Sequence, residues 1–489
     1  MATLSLEVFG QAGPRAGYIA WTPVPLVIRN PDQVTGSLLL TNESSAGSIT
    51  RVSFFEEVGG APNDEMTVVL DGSPDTTIWV AGKFQEGEKH HGASPESKDV
   101  TIRAAFVNDP GTEVAQLPLM VRVRRNANEL SAQARNDFLK ALGELNGIQE
   151  SPGGPGAGNG IYTTDFVKMH VEGATVSEHG DSMFLPWHRL YLLDLERQLQ
   201  SIIPEVTLPY WRFDQPAPNV FTEDFMGKMQ LIPRDISLPG GELDTGGSNT
   251  PPAIFAVDNP LSKWQIENTS GIPRTARFDP ETEPANGLSD STVGSEFDFA
   301  LRSQNQTLTL GGGTVDPDEA FFGDRIVQGN RFVQTGFSRM EGSPHGAAHM
   351  SFNGYINDVP IAPQDPLFFL LHCNVDRLWA LWQFAFDRDE SSAEKTYPYQ
   401  NSGDALPWKL VGSTQWPWDG SGSVPDGLAP PGTRQNNFTE SIQVQNFPSN
   451  APRIEDSIDP FGQRADESFL GFAYDDPPFL HKPATVVTT

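Results

Sequence analysis

A chain of 489 residues is longer than one ordinary hydrophobic core supports, so its length predicts two or three domains. The formal net charge of -30 argues against a nucleic-acid partner, and the single cysteine excludes an intrachain disulfide and a thiolate zinc site. No signal peptide and no membrane-length apolar run is visible, so a cytoplasmic location is the default expectation, with export alongside a partner left open.

Residues 1–123 are rich in short segments of β type. Apolar residues alternate with polar ones from Leu4 to Val8, and further apolar and β-branched runs follow between turn-rich gaps. This spacing, without a helical period, is typical of an all-β sandwich, here of about seven strands with an immunoglobulin-like architecture. One polar loop carries the pair His90-His91, which is interpreted as a solvated loop, with a metal-handling role as the alternative.

The pattern becomes helical at about residue 124. Ser131 is a candidate N-cap in front of a run with apolar side chains at helical spacing. The predicted helices cover 129–147, 163–173, 184–203, a segment that begins near Pro344, and 365–386. From about Gln215 to Asp324 the chain is polar and rich in Gly and Pro, which predicts long loops with little regular structure. The chain is therefore predicted to be multidomain, with a mainly α-helical domain over 124–476 and a tail over 477–489.

Six of the nine histidines lie in two clusters within the helical domain. The first cluster is His170, His179 and His188, and the second is His345, His349 and His372. His345 and His349 are four residues apart, so on a helix both imidazoles project from one face. Two sets of three imidazoles without cysteine or an obvious carboxylate ligand favour copper or zinc over magnesium or calcium. A zinc hydrolase with an H-E-x-x-H motif is disfavoured, because Gly346 follows His345.

The residues around both clusters resemble a known family. FLPWHRLYLLDLE, with His179 nine residues before His188, and DPLFFLLHCNVDRLW, which contains His372, are similar to the two copper-binding signatures of type 3 copper proteins. These proteins are tyrosinases, catechol oxidases and molluscan-type haemocyanin units. The resemblance extends from about Arg124 to Asp475 and includes LPYWRFD, EGSPH and LGFAYDD. The N-terminal sandwich lies outside it.

The resemblance implies a four-helix bundle that holds two copper ions about 4 Å apart, with dioxygen as the co-substrate. By this resemblance the first copper would bind His170, His179 and His188, and the second would bind His345, His349 and His372. Glu341 would correspond to a carboxylate that orients a water near the substrate. Its alternative interpretation is a solvated loop acid.

Residues next to the ligands are given supporting roles. Asp376, four residues after His372 as in the family, is expected to fix a ligand or helix through hydrogen bonds. Trp187, Arg189 and Arg377 are expected to hold the scaffold rather than touch substrate.

Three further residues complete this set. Phe368 is expected to pack either against a ligand ring or in the ordinary core. Tyr474 resembles the tyrosine that closes the family's catalytic domain and is expected to lie against Arg124. Cys373 is interpreted as an inert buried residue, with a redox-sensitive thiol as the alternative.

Three positions depart from the family pattern. Leu371 stands where the family commonly has a second histidine, no cysteine lies near His179 for a thioether link, and Gly346 replaces an asparagine common in monophenol-hydroxylating members. Glycine has no side-chain amide to help a carboxylate hold its water, so the general base is weakened. The chain is therefore predicted to be a copper-dependent polyphenol oxidase of the catechol oxidase or tyrosinase class. It would oxidise o-diphenols or o-aminophenols to quinones, with monophenol hydroxylation left open.

The alternative from another class is a haemocyanin-type reversible oxygen carrier. Such a carrier needs its site shielded from phenols, and little chain follows Tyr474 to do so, which favours an enzyme. The expected partner is a small phenolic substrate, without nucleic acid or membrane, and homo-oligomerisation stays open. The sequence does not indicate the natural substrate, the role of the sandwich or the need for a copper chaperone.

Overall fold

The structure is a computed structural model, and it describes most of the chain. The described residues are 4–8, 11–12, 18–19, 23–44, 50–57, 60–84, 100–121, 123–148, 156–173, 179–203, 206–233, 249–285, 301–313, 316–328, 331–388, 390–401, 407–418, 452–458 and 473–475. The pair His90-His91 and the predicted tail at 477–489 lie outside the described residues.

The chain divides into two compact units. The first contains Met1–Arg124 and the short strand Ala473–Tyr474, and the second contains the described residues from Arg125 to Ile458. Arg124 and Ala473–Tyr474 are thus grouped with the first unit, whereas the sequence placed them at the two ends of the helical domain. The predicted boundaries themselves stay predictions.

Among the described residues, the first unit is built of strands. They are β1 (Ser5–Val8), β2 (Gln11–Ala12), β3 (Tyr18–Ile19), β4 (Val24–Arg29), β5 (Thr35–Ser44), β6 (Thr50–Phe55), β7 (Met66–Asp71), β8 (Asp75–Phe84), β9 (Val100–Phe106), β10 (Asp109–Val121) and β11 (Val123–Arg124). The predicted β-rich character is confirmed, but the expected number of about seven is too small for the described part. Two of the missed strands have only two residues, and β4 contains Pro25, which lowers the strand signal.

Ten of these strands, all except β11, form two five-stranded sheets. Their orders are β2-β1-β4-β8-β6 and β3-β10-β9-β5-β7, and the described pairs are antiparallel except for β3 with β10. Side chains alternate between the core and solvent: in β7, Met66, Val68 and Leu70 are buried and the residues between them are exposed. Buried residues from both sheets join one hydrophobic cluster, so each sheet covers the apolar face of the other.

The first unit also contains the predicted contact between Arg124 and Tyr474. β11 pairs in parallel with Ala473–Tyr474, and the Arg124 guanidinium donates a hydrogen bond of 2.9 Å to the Tyr474 hydroxyl. Both residues are buried. The expectation that these two residues meet is confirmed.

The second unit is mainly helical with short strands. Its α-helices in the described residues are α1 (Ala132–Asn146), α2 (Lys168–Gly173), α3 (Phe184–Ile202), α4 (Gln304–Leu308), α5 (Ala347–His349) and α6 (Leu367–Phe386). Its strands there are β12 (Gln230–Leu231), β13 (Gln265–Ile266), β14 (Thr269–Ser270), β15 (Arg274–Ala276), β16 (Arg325–Gln328), β17 (Arg331–Gln334) and β18 (Phe352–Gly354). All five predicted helices are present, but the one expected from Pro344 is a π-helical turn over Gly342–Gly346 followed by the three-residue α5.

Local sequence signals account for the ends of α1. The Ser131 hydroxyl accepts a hydrogen bond from the Ala134 N–H, which confirms the predicted N-cap. Gly147 ends the helix with a φ of 90°, a backbone conformation that glycine adopts without steric cost. A Cβ at this position would lie 2.2 Å from the Gly156 carbonyl oxygen, so no larger residue fits.

Helices α3 and α6 form the centre of this unit. Almost every residue of α6 is buried, which is typical of a helix that is packed on all sides. Arg189 on α3 donates a hydrogen bond of 2.6 Å from Nε to Oδ1 of Asp376 on α6, and its guanidinium lies 3.6 Å above the Trp379 ring. The predicted scaffold roles of Arg189 and Asp376 are confirmed. No helix in the described part of the chain has the length and apolar character needed to cross a membrane.

Candidate metal centre

The structure brings the six predicted histidines into two groups of three. In the first, His170 lies on α2, His179 precedes α3 and His188 lies on α3; in the second, His345 lies in the π-helical turn, His349 ends α5 and His372 lies on α6. Within each group, one candidate ligand atom per histidine lies within 4.8 Å of the other two. We call these groups the first triad and the second triad.

Four of the six imidazoles are anchored through Nδ1 to a backbone carbonyl. The pairs are His170 with Pro360 at 3.1 Å, His188 with Phe184 at 2.8 Å, His345 with Glu341 at 2.8 Å and His349 with Ile356 at 2.5 Å. A carbonyl oxygen only accepts, so each of these Nδ1 atoms carries the hydrogen and Nε2 presents a lone pair. Metal-binding histidines are oriented in this way.

The free nitrogens converge on one another rather than on protein partners. Nε2 of His372 lies 3.1 Å from Nε2 of His345 and 3.2 Å from Nε2 of His349. In the first triad, Nε2 of His170 and of His188 is buried without a hydrogen-bond partner among the described residues. Buried polar atoms nearly always have a partner, so these nitrogens indicate a missing ligand.

The protonation state of the imidazoles suits a metal. Burial lowers the pKa of all six, to about 3 for His170 and to about 4 for His349. The imidazoles are therefore neutral at neutral pH, as metal coordination requires. A donor set of three imidazole nitrogens in each triad fits copper or zinc and does not fit magnesium or calcium, which take oxygen ligands.

The two triads adjoin each other. The rings of His188 and His372 stack at a centroid distance of 4.5 Å, with 17° between their planes. The Phe368 ring stacks on His372 at 3.9 Å and meets His170 edge-on at 4.9 Å, which confirms that Phe368 packs against ligand rings. Metal ions held by the two triads would therefore be neighbours.

His179 is the most exposed of the six histidines. His179 is half-buried, whereas the other five histidines are buried. Glycine follows it at position 180 with a φ of 83°, and a Cβ there would lie 2.8 Å from the guanidinium of Arg325. Both the positive φ and the nearby guanidinium therefore favour glycine at position 180.

Glu341 is buried, so its interpretation as a solvated loop acid is wrong. Its Oε1 accepts a hydrogen bond of 2.6 Å from the Gly180 N–H, and its Oε2 accepts one of 2.6 Å from the Gln334 side-chain amide. Burial raises the pKa of Glu341 to about 8, although both N–H donors favour the ionised form. The role of orienting a water stays a prediction.

The remaining predicted residues lie around the triads. Trp187 donates from Nε1 to the Trp416 carbonyl at 2.8 Å, and Arg377 donates to Asn374 Oδ1 at 3.0 Å; both side chains are buried, as their scaffold roles require. Cys373 is buried and its Sγ lies 3.5 Å from the carbonyl oxygen of Leu208, which fits the inert interpretation.

Two features of the centre could not be predicted from the sequence. The carbonyls that anchor the imidazoles carry no sequence signal, because every residue has one. The contact between Glu341 and Gly180 joins residues 161 positions apart, and no local pattern indicates it.

Comparison with known proteins gives matches over the part of the chain that holds the triads. The family model described as the common central domain of tyrosinase matches residues 162–385. Grixazone synthase of Streptomyces griseus is 28% identical over 305 residues, which cover 54% of this chain and 85% of that protein. A tyrosinase of Streptomyces antibioticus is 25% identical over 302 residues, which cover 61% of this chain and 93% of that protein. A solved functional unit of octopus hemocyanin aligns with a TM-score of 0.41 at 16% identity, covering 73% of this chain and 68% of that one.

Proposed function

Because the chain belongs through its central domain to the tyrosinase family of type 3 copper proteins, we propose that it oxidises o-diphenols to quinones, or o-aminophenols to quinone imines, at a pair of copper ions, with dioxygen as the oxidant. The observation that carries the proposal is the contact between two triads of neutral imidazoles. The overall reaction balances: two diphenols each lose two electrons and two protons, and one dioxygen becomes two water molecules.

Residues around the two triads orient the imidazoles that would hold the copper pair. When bound, copper at the two triads supplies a site for dioxygen and accepts the electrons that the diphenol loses. The backbone carbonyls hold the imidazoles in the orientation and tautomer that leave Nε2 free. Phe368 fixes the His372 ring by stacking, and the proposed entry of the substrate is beside His179, the most exposed of the six histidines.

Diphenol oxidation is favoured over monophenol hydroxylation by the environment of Glu341. A monophenol must lose its proton to a base, and the side chain of Glu341 already accepts hydrogen bonds from Gly180 and Gln334. The residue after His345 is Gly346, which has no side-chain amide to hold a water beside the carboxylate. The raised pKa of Glu341 suits a general base, but without a held water the carboxylate lacks a relay to the proton of a monophenol.

We extend the proposal to the finer architecture. α2, α3, α5 and α6 each carry at least one ligand, which supports a four-helix bundle around the copper pair. The two facing sheets of the first unit support an immunoglobulin-like sandwich. The cytoplasmic location and the formation of a homo-oligomer stay predictions.

Oxygen consumption by the copper-loaded protein tests the proposed function. We expect two coppers per chain and sustained consumption with a catechol and with an o-aminophenol, at one dioxygen for every two quinones formed. A monophenol is expected to react more slowly than its diphenol. Uptake of one dioxygen per copper pair without turnover would instead identify a reversible carrier, and the absence of any uptake would reject both functions.

Substitution Gly346→Asn is expected to raise the ratio of monophenol to diphenol turnover by about tenfold or more, since positioned proton transfer typically contributes 10²–10⁴-fold. The backbone at position 346 is right-handed helical, with φ of -57° and ψ of -38°, so asparagine is accommodated without backbone strain. The measurement is the oxygen-electrode rate with a matched monophenol and diphenol. Gly346→Ala is the control, because it adds a side chain without an amide. Equal ratios in the two variants would remove the amide from the explanation.

A further inference from the structure

His179 lacks the anchor that most of the other ligands have. Nδ1 of His179 has no hydrogen-bond partner among the described residues, whereas four of the six imidazoles bind a backbone carbonyl through this atom. Nδ1 of His372 is also unpartnered there, but that ring is held on α6 between Phe368 and His188. His179 is half-buried and lies outside the helices, and its ring lies 5.5 Å from that of Phe184 at the start of α3, so its position depends on the segment that leads to α3.

The segment 179–183, which links His179 to α3, is held at successive residues. The contacts are Gly180 N–H to Glu341 Oε1 at 2.6 Å, Asp181 to Lys409 Nζ at 2.5 Å, Ser182 N–H to Asp324 Oδ1 at 2.7 Å and Met183 N–H to Asp181 Oδ1 at 2.8 Å. Of these contacts, the one with Glu341 is made by Gly180, the residue directly after His179. It is also made in a buried place, where the low dielectric strengthens a hydrogen bond.

Glu341 also reaches the second triad. Its backbone carbonyl oxygen accepts the hydrogen bond of 2.8 Å from Nδ1 of His345. The main chain of Glu341 thus orients His345 of the second triad. Its side chain holds Gly180, the residue after His179 of the first triad. Because the two contacts use different atoms, a side-chain substitution changes the first and leaves the second in place.

We propose that Glu341 is a positioning residue that couples the two metal sites, and that its carboxyl group sets the copper affinity of the first triad by holding Gly180 and hence His179. The inference rests on the proposed function, because it concerns the same copper pair. It assigns Glu341 a structural acceptor role toward the protein, which is separate from proton transfer from a monophenol, and its test therefore uses a catechol, whose oxidation does not depend on that transfer.

Two conservative substitutions separate these roles. Glu341→Gln keeps an oxygen at the same distance along the side chain, so it can still accept the Gly180 N–H, but it cannot take up a proton as a base. Glu341→Asp keeps a carboxyl group but is one methylene shorter, so its oxygen is withdrawn from Gly180. Glu341→Gln therefore retains the positioning of Gly180 and loses proton transfer. Glu341→Asp loses the positioning and retains a group that can transfer a proton.

The test is a copper titration of the metal-free protein, with metal content measured after equilibrium dialysis. We expect Glu341→Gln to bind two coppers per chain like the original protein. Glu341→Asp is expected to lose affinity at one site by about 10- to 100-fold, the usual effect of removing a group that orients a ligand, while the other site is unchanged. Steady-state oxygen consumption with a catechol should follow copper occupancy in both variants.

Gln334→Ala is the matched control, because it removes the other hydrogen bond to the same carboxyl group and leaves Gly180 in contact. It should retain both coppers, and a loss equal to that of Glu341→Asp would overturn the proposal. The proposal is also overturned if Glu341→Asp binds both coppers normally, or if Glu341→Gln binds both but loses turnover. Failure of the original protein to bind two coppers would instead reject the proposed function. The thermal unfolding of each metal-free variant shows whether its fold is retained.

Discussion

Substitution His372→Ala is expected to remove one copper per chain and to lower catechol turnover by more than about a hundredfold. Loss of a group that only orients a ligand typically costs 10–100-fold, and loss of the ligand itself costs more. Nε2 of His372 lies within 3.2 Å of the corresponding atoms of His345 and His349. Without His372 the second triad keeps only two of its three nitrogens, and these no longer enclose a metal. Metal content and the oxygen-electrode rate measure the two effects.

Cys373→Ala is the control for this substitution, because the residue is the next one on α6 and is equally buried. Cys373 belongs to neither triad, and its Sγ faces the carbonyl oxygen of Leu208. We expect it to keep both coppers and most of the turnover. If His372→Ala bound two coppers at the original affinity, the assignment of His372 as a ligand would be wrong.

Substitution Asp376→Ala is expected to lower the free energy of unfolding by about 3–5 kcal/mol, the cost of leaving a buried charge without its partner. Arg189 is fully buried, and Asp376 is 3% exposed at the side chain. Arg189 keeps its hydrogen bonds to Gln383 and to the carbonyl of Ser457. We therefore expect a decrease in the free energy of unfolding at the lower end of this range. Denaturant unfolding of the metal-free protein, followed by tryptophan fluorescence, measures the change.

An exposed ion pair of the same unit provides the control. Arg453 and Glu455 lie 3.1 Å apart with side chains 51% and 37% exposed, so Glu455→Ala should change stability by less than about 1 kcal/mol. A double substitution of Arg189 and Asp376 by apolar residues of similar volume should recover part of the loss, because no uncompensated charge remains. If Asp376→Ala were no more destabilising than Glu455→Ala, the pair would not hold α3 against α6.

Local signals were sufficient for much of the helical unit. The apolar spacing and the Ser131 cap predict α1 to within a few residues, because helix formation depends on contacts three and four positions apart. The strands of the first unit were predicted where alternation was regular, as in β7. The sequence did not indicate β2 and β3, which have two residues each, or β4, which contains Pro25, because their stability comes from neighbouring strands that are distant in sequence.

The sequence by itself determined which residues form the candidate copper site. Histidine is scarce in this chain, and spacing such as that of His345 and His349 is a local property of a helix. Only the tertiary structure decided that the triads adjoin, that backbone carbonyls set the tautomers, and that Glu341 faces Gly180 rather than solvent. The contact between the triads and the one between Glu341 and Gly180 join segments far apart in the chain, whereas His188 and His345 bind carbonyls only four residues away. Main-chain groups are the same at every residue, so the amino-acid sequence carries no mark of which ones are used.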